Sequence, residues 1–129
     1  MASDRILGAV DDLMFSSRIA AAAQALGARW QKVSSLGDAL AAHEAALAEG
    51  ARTALVLIDL NWRGGDPLAL VRDLRSNPRF GTTPIVAFGS HVAADRLDAA
   101  RASGCDLALP NSALSSGLPA LLSRYLTGP

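Results

Sequence analysis

Asp11 and Asp12 directly follow the apolar run Ile6-Leu7-Gly8-Ala9-Val10, and Asp59 directly follows Ala54-Leu55-Val56-Leu57-Ile58. A carboxylate placed straight after such a run is costly unless its site is wet, paired or metal-bound. If the two runs are neighbouring strands, the three acids meet at one end of a sheet. Like charges so close repel, and at least one pKa rises. A hard divalent cation is the usual remedy, and Mg²⁺ held by one or two carboxylates plus water is the expected species. A carboxylate beside such a cation can also attack a phosphoryl group and become an aspartyl phosphate. The plainer alternative is that Asp11 and Asp12 end a strand and cap the next helix. Asp59 on the same rim favours a shared pocket.

Other chemistry-bearing residues are weaker candidates. His43 sits between Leu40 and Leu47 and reads as the edge of a helix face. His91 follows Ser90 and reads as a first-turn helix residue, and the two histidines have no metal-ligand spacing. Cys105, the single cysteine, excludes an internal disulfide framework and reads as a small core residue. In Trp62-Arg63-Gly64-Gly65, Arg63 could neutralise the acids or meet an anion, with Trp62 as a partner contact. A Trp folded over its own loop beside a solvated Arg is the favoured reading.

The elements that must position the acids alternate along the whole chain. Three apolar runs, Ile6–Val10, Ala54–Ile58 and Pro84–Phe88, are continuous rather than alternating, which suggests strands covered on both faces of a parallel sheet. Arg29–Val33 and Leu107–Leu109 are weaker runs and are expected at the edges. Phe15, Ile19, Ala22 and Leu26 share one helical face, ended by Gly27. Ser35 with Asp38 opens a helix to Glu49, stopped by Gly50. Asp66-Pro67 opens another, which uses Leu70, Val71 and Leu74 and ends before Asn77-Pro78. Two more helices are predicted over Val92–Ser103 and from about Ser116 to Leu126. The pattern is (βα)5, and right-handed crossovers with strand order 2-1-3-4-5 make the first and third strands neighbours. Their carboxyl ends then flank the topological switch point.

Composition sets the outer limits. The 129 residues suit one domain over 1–129, and half of them are hydrophobic against 19% charged, which argues for a packed core rather than disorder. Twelve basic and twelve acidic residues cancel, with no Lys or Arg run, so nucleic acid and anionic membranes are not expected partners. No apolar stretch reaches the ~20 residues of a membrane helix. Met1–Gly8 lacks the basic patch and long apolar centre of a signal peptide. A cytoplasmic protein is the expectation.

The ordered set Val10-Asp11-Asp12, Ile58-Asp59-Leu60-Asn61, Pro84-Ile85-Val86 and Gly104-Cys105-Asp106 resembles the receiver domain of bacterial response regulators over nearly the whole chain. That resemblance implies a flavodoxin-like fold. By position it makes Asp59 the phosphoacceptor, Asp12 the direct metal ligand and Asp11 the second acid of the pair. Asn61 becomes the residue whose backbone carbonyl completes the Mg²⁺ site. The departures matter equally. Gly89 stands where receivers carry Ser or Thr, and Ser90 substitutes only if the loop shifts. Asn111, followed by Ser112, stands where they carry Lys and then Pro. Ala108 replaces the aromatic of strand five, and Trp62-Arg63 and Pro67 replace the Met-Pro and later Gly of the third loop.

A phosphoryl group at Asp59 would therefore lose a cation, a hydroxyl and an aromatic readout. Charge-assisted contacts contribute roughly 1.5–3 kcal/mol each, and a switch biased by a few kcal/mol responds poorly without them. The resemblance thus implies a stand-alone receiver-like signalling module of a phosphorelay, with impaired or absent phospho-switching. Its expected partner is a histidine kinase or a downstream signalling protein, and a homodimer stays open. It is not expected to be an enzyme beyond phosphoryl acceptance at Asp59. The alternatives are a working phosphoacceptor and, behind it, a phosphohydrolase of the haloacid dehalogenase type, which Asn61 deprives of its second acid. A flavin carrier fits poorly, since the first loop offers acids where a phosphate needs donors.

Overall fold

The computed structural model describes residues 3–126; Met1 and Ala2 of the N-terminal segment lie outside the described residues, as do 127–129. Strands β1 (Arg5–Ala9), β2 (Arg29–Lys32), β3 (Thr53–Asp59), β4 (Ile85–Gly89) and β5 (Leu107–Pro110) alternate with helices α1 (Leu13–Ala25), α2 (Leu36–Ala48), α3 (Pro67–Ser76), α4 (Ala94–Ser103) and α5 (Asn111–Leu126). All pairings are parallel and the order is β2-β1-β3-β4-β5, as the alternation of apolar runs predicts.

Every residue of β1, β3 and β4 is buried, because helices cover both faces of the sheet. Alternate side chains divide into two apolar layers. Leu7, Ala9, Val56, Ile58, Ile85, Ala87 and Ala108 pack with Ala39 and Ala42 of α2, Leu70, Val71 and Leu74 of α3, and Leu97 and Ala100 of α4. Ile6, Leu55, Leu57, Val86 and Phe88 pack on the other side with Ile19 and Ala23 of α1 and Leu114, Leu118 and Leu122 of α5.

The helix starts follow from local hydrogen bonding. Asp12 accepts from the Phe15 N–H at 3.0 Å, Ser35 Oγ from Asp38 N–H at 3.0 Å, and Asp66 from the Leu68 and Ala69 N–H groups at 2.9 and 3.3 Å. Two boundaries differ from the sequence expectation. α4 begins at Ala94 rather than Val92, because Ser90 Oγ draws the Val92 N–H into a local turn at 3.3 Å. α5 begins at Asn111 rather than near Ser116, and continues through Pro119 in its interior. Pro119, Gly117 and a run of serines argue locally against helix. Burial of Leu114, Leu118 and Leu122 at helical spacing outweighs them.

Arg75 ties the far end of this framework together. Its guanidinium donates to the carbonyls of Gly104, Phe80, Gly81 and Thr83 and to Asp106 Oδ2 at 2.7 Å. Asp106 Oδ2 also accepts from the Ile85 N–H at 2.8 Å, so one ion pair fixes where β4 and β5 begin.

Gly8 is the tightest point of the sheet. A Cβ there would sit 2.4 Å from the Trp30 ring and 2.8 Å from the Leu57 carbonyl oxygen. The ring can turn aside, but the backbone of the neighbouring strand cannot. Gly8→Ala is expected to destabilise the fold by about 1–3 kcal/mol, read as a lower urea midpoint at unchanged slope.

Candidate functional site

The parallel pairing brings the carboxyl ends of all strands to one rim. β1 delivers Asp11 and Asp12 to it, and β3 delivers Asp59. Asp59 is only 6% exposed. Its Oδ1 accepts from the Asn61 N–H at 2.8 Å, and its carbonyl accepts from Trp62 N–H at 2.9 Å. Burial raises its pKa above the ordinary carboxylate value. The Asn61 N–H opposes that rise, while the charges of Asp12 and Asp11 add to it. The two strand ends thus bring the predicted acids into electrostatic contact.

The outer two acids already have partners. Asp12 caps α1, as the plainer reading held, and is exposed. Asp11 accepts weakly from the Arg63 N–H at 3.4 Å, and its Oδ1 lies 3.6 Å from Lys32 Nζ. Among the described residues, no three His, Cys, Asp or Glu side chains are gathered tightly enough to hold an ion as they stand. The donor chemistry nevertheless fits a hard cation. The rim offers oxygen donors only, and its innermost carboxylate is buried among like charges with no ion-pair partner among the described residues.

Lys32 was not anticipated. It is the chain's single lysine and closes β2, the strand beside β1, so its place at the end of a parallel strand was the available signal. Arg96 was missed as well. It lies in the first turn of α4, and its guanidinium donates at 2.6 Å to the carbonyl of Leu60, the residue after Asp59. Arg63 is exposed, with no side-chain ion pair among the described residues. Trp62 is 7% exposed and lies against Gly64, where a Cβ would come within 2.4 Å of its ring. Trp62 is therefore folded over its loop and is not a free partner contact.

The departures from the receiver pattern now have surroundings. A Cβ on Gly89 would meet Leu60 Cβ and Cδ1 at 3.2 Å, so a larger residue there requires Leu60 to yield by a few tenths of an ångström. Ala108 is 2% exposed within the apolar layer under α4. Asn111 opens α5, and its Oδ1 is buried without a hydrogen-bond donor among the described residues. His43 is held by Thr53 Oγ1 at 3.0 Å and by the Phe80 ring, and burial followed by the charge of Arg79 pushes its pKa down. It is a packing residue. Cys105 packs against the core, and burial pushes its thiol pKa up to about 11.

A doubly wound sheet with acids at its switch point is the fold of the receiver domain. The solved structures this chain resembles are response regulators. The phosphorylated cyanobacterial phytochrome response regulator RcpA matches with a TM-score of 0.78 at 18% identity, over 99% of this chain and 98% of that one. The chemotaxis response regulator CheY4 of Vibrio cholerae matches with a TM-score of 0.73 at 19% identity, over 97% and 100%. The Mn²⁺-bound form of the response regulator Rcp1 matches with a TM-score of 0.72 at 19% identity, over 95% and 94%. No protein-family model and no curated protein sequence matches significantly. Among the described residues no helix is long and apolar enough to cross a membrane.

The raised pKa of Asp59 has a stability consequence. A carboxyl whose folded pKa lies above its unfolded value stabilises fully below the unfolded value, and that contribution is lost as pH rises through the folded value. At neutral pH the charged Asp59 is thus a net cost. Asp59→Asn is expected to raise the thermal midpoint at pH 7, with the gain shrinking as pH falls toward 4. A midpoint unchanged or lowered at pH 7 would refute this account.

Proposed function

We propose that the chain is a receiver-type signalling module that acts through protein contacts, with phosphoryl acceptance at Asp59 weakened by the loss of its usual partners. The observation that carries this reading is the buried Asp59 at the end of β3, its pKa raised in part by Asp12 and Asp11, on a receiver fold. The proposed partners are a histidine kinase or a downstream signalling protein. Leu13 and Met14, 80% and 61% exposed beside Asp12, and Val92, 81% exposed after β4, put apolar side chains on the same rim. A cytoplasmic setting belongs to the same proposal.

The chemistry follows from the chain's own groups. The ionised Asp59 carboxylate attacks the phosphorus of a small phosphodonor, forming an acyl phosphate while the bond to the leaving group breaks and that group departs with the electron pair. Asn61 N–H holds Oδ1 and fixes the carboxylate's orientation. Asp12, Asp59 and the Asn61 carbonyl would hold Mg²⁺, with Asp11 as the second acid. When bound, the ion offsets the charge that gathers on the phosphoryl oxygens. Gly89 supplies no hydroxyl, Asn111 no charge, and Ala108 no aromatic to carry the event into β5.

Intact-mass measurement with Mg²⁺ and acetyl phosphate is expected to show slow, partial labelling that Asp59→Asn abolishes. Fast, complete labelling with resonance shifts through β5 and α5 would sink the impaired-switch reading. Leu60 adds a sharper expectation. Gly89→Thr with Asn111→Lys should label faster when Leu60→Ala is included than without it, because alanine removes the Cδ1 contact at 3.2 Å and leaves only Cβ for the backbone to accommodate. Equal rates would show that Leu60 does not hold the position closed.

A further inference from the structure

A small cavity of about 70 Å³ opens on the rim just past the end of β3, lined by Leu60, Asn61, Gly89, Ser90, Ala93, Arg96 and Asn111, with Asp59 itself one residue outside the lining. On the same measure a cavity needs roughly 10–15 Å³ to hold one water, so this one has room for several. Its polar lining is unusual in three respects. Arg96 brings a guanidinium from α4 that has no carboxylate partner among the described residues and donates only to the Leu60 carbonyl. Asn111, half-buried, lines it with an Oδ1 that is buried without a donor among the described residues, and rotating that amide by half a turn presents two N–H donors instead. Ala93, the N-cap of α4, makes no side-chain cap and lines the same cavity, so the positive end of the helix dipole lies next to it.

We infer that this cavity is an oxyanion site whose cation is Arg96, taking a phosphate-sized group either attached to Asp59 or free in solution. The inference rests on the rim being the module's working face and adds the residue that meets the anion. A guanidinium is permanently charged and binds tetrahedral oxyanions in a two-pronged fashion. Arg96 reaches the rim from the helix after β4, and the neutral Asn111 at the end of β5 leaves that space without a competing cation. Its present bond to a neutral carbonyl is the weaker of the two options, since a charged acceptor forms the stronger hydrogen bond. An anion in the cavity therefore draws Arg96 off Leu60 and moves the first turn of α4 with it.

The test is a nuclear magnetic resonance titration with two probes, beryllofluoride with Mg²⁺ and inorganic phosphate, following the Arg96 Nε–H and the amides of Ser90, Val92 and Ala93. At least one probe is expected to shift all of these, and Arg96→Gln should weaken its binding roughly tenfold or more. Arg96→Lys, which keeps the charge but not the fork, should fall between, and thermal midpoints of both variants verify folding. Asp59→Asn separates the sources: loss of the beryllofluoride response marks an Asp59-borne group, whereas retained phosphate binding marks a free one. Shifts with phosphate but no labelling of Asp59 would remove the phosphoacceptor reading and leave the oxyanion site standing. No shift with either probe, or equal binding by Arg96→Gln, overturns the inference.

Discussion

The burial of β3 on both faces and both edges is the constraint from which the remaining geometry follows. It pairs with β1 on one side and β4 on the other, and none of its residues from Thr53 to Asp59 reaches solvent appreciably. Two apolar layers need this strand at the centre, so its last residue is forced to the middle of the rim. A polar residue there is buried by the architecture rather than by its own preference. A carboxylate at that point costs desolvation, and β1 sets two more negative charges beside it. The architecture therefore holds a charge at Asp59 that works against stability. An apolar core does not generate such a cost on its own, which is why the functional reading begins there.

The opposite end of the sheet bears no such tension. Arg75 spends its donors on carbonyls of two loops and on Asp106, which in turn anchors the first N–H of β4. β4 and β5 are thus fixed at their starts, and their ends are left to be shaped by side chains. At those ends the departures from the receiver pattern are physically linked. Leu60 packs into the space above Gly89, and Ala108 leaves the layer below α4 without a large ring. A hydroxyl at position 89 and the present Leu60 compete for one volume, so the two residues are read as a pair.

Much of this was legible in the sequence because burial imposes strong patterns. Continuous apolar runs marked β1, β3 and β4, and Asp66-Pro67 and Ser35 marked helix starts through a mechanism that operates locally. The three acids were visible because each interrupts an apolar run. What was not legible depended on contacts distant in sequence. The early start of α5 is decided by Leu114 packing against the sheet, which no local propensity at Asn111, Ser112 or Pro119 reports. Lys32 and Arg96 look like ordinary surface charges, and only the strand order and the α4 placement bring them to the rim. The loop tryptophan was readable in outline, since Gly64 and Gly65 beside Trp62 leave room for its ring.

The rim's charge balance joins these points. Receivers concentrate positive charge after strand five, where this chain has the neutral Asn111. Here the nearby cations come from other directions: Lys32 from β2 stands 3.6 Å from Asp11, and Arg96 from α4 donates to the Leu60 carbonyl. The two are not equivalent. Lys32 faces an exposed carboxylate, where water screens the pair and its contribution is small. Arg96 is exposed as well, but it donates to a neutral carbonyl at the cavity and has no carboxylate partner among the described residues, so its charge is not already matched. With Asn111 neutral after β5, the rim is still not without positive charge. The cation that lines the cavity sits on a helix, at Arg96 of α4.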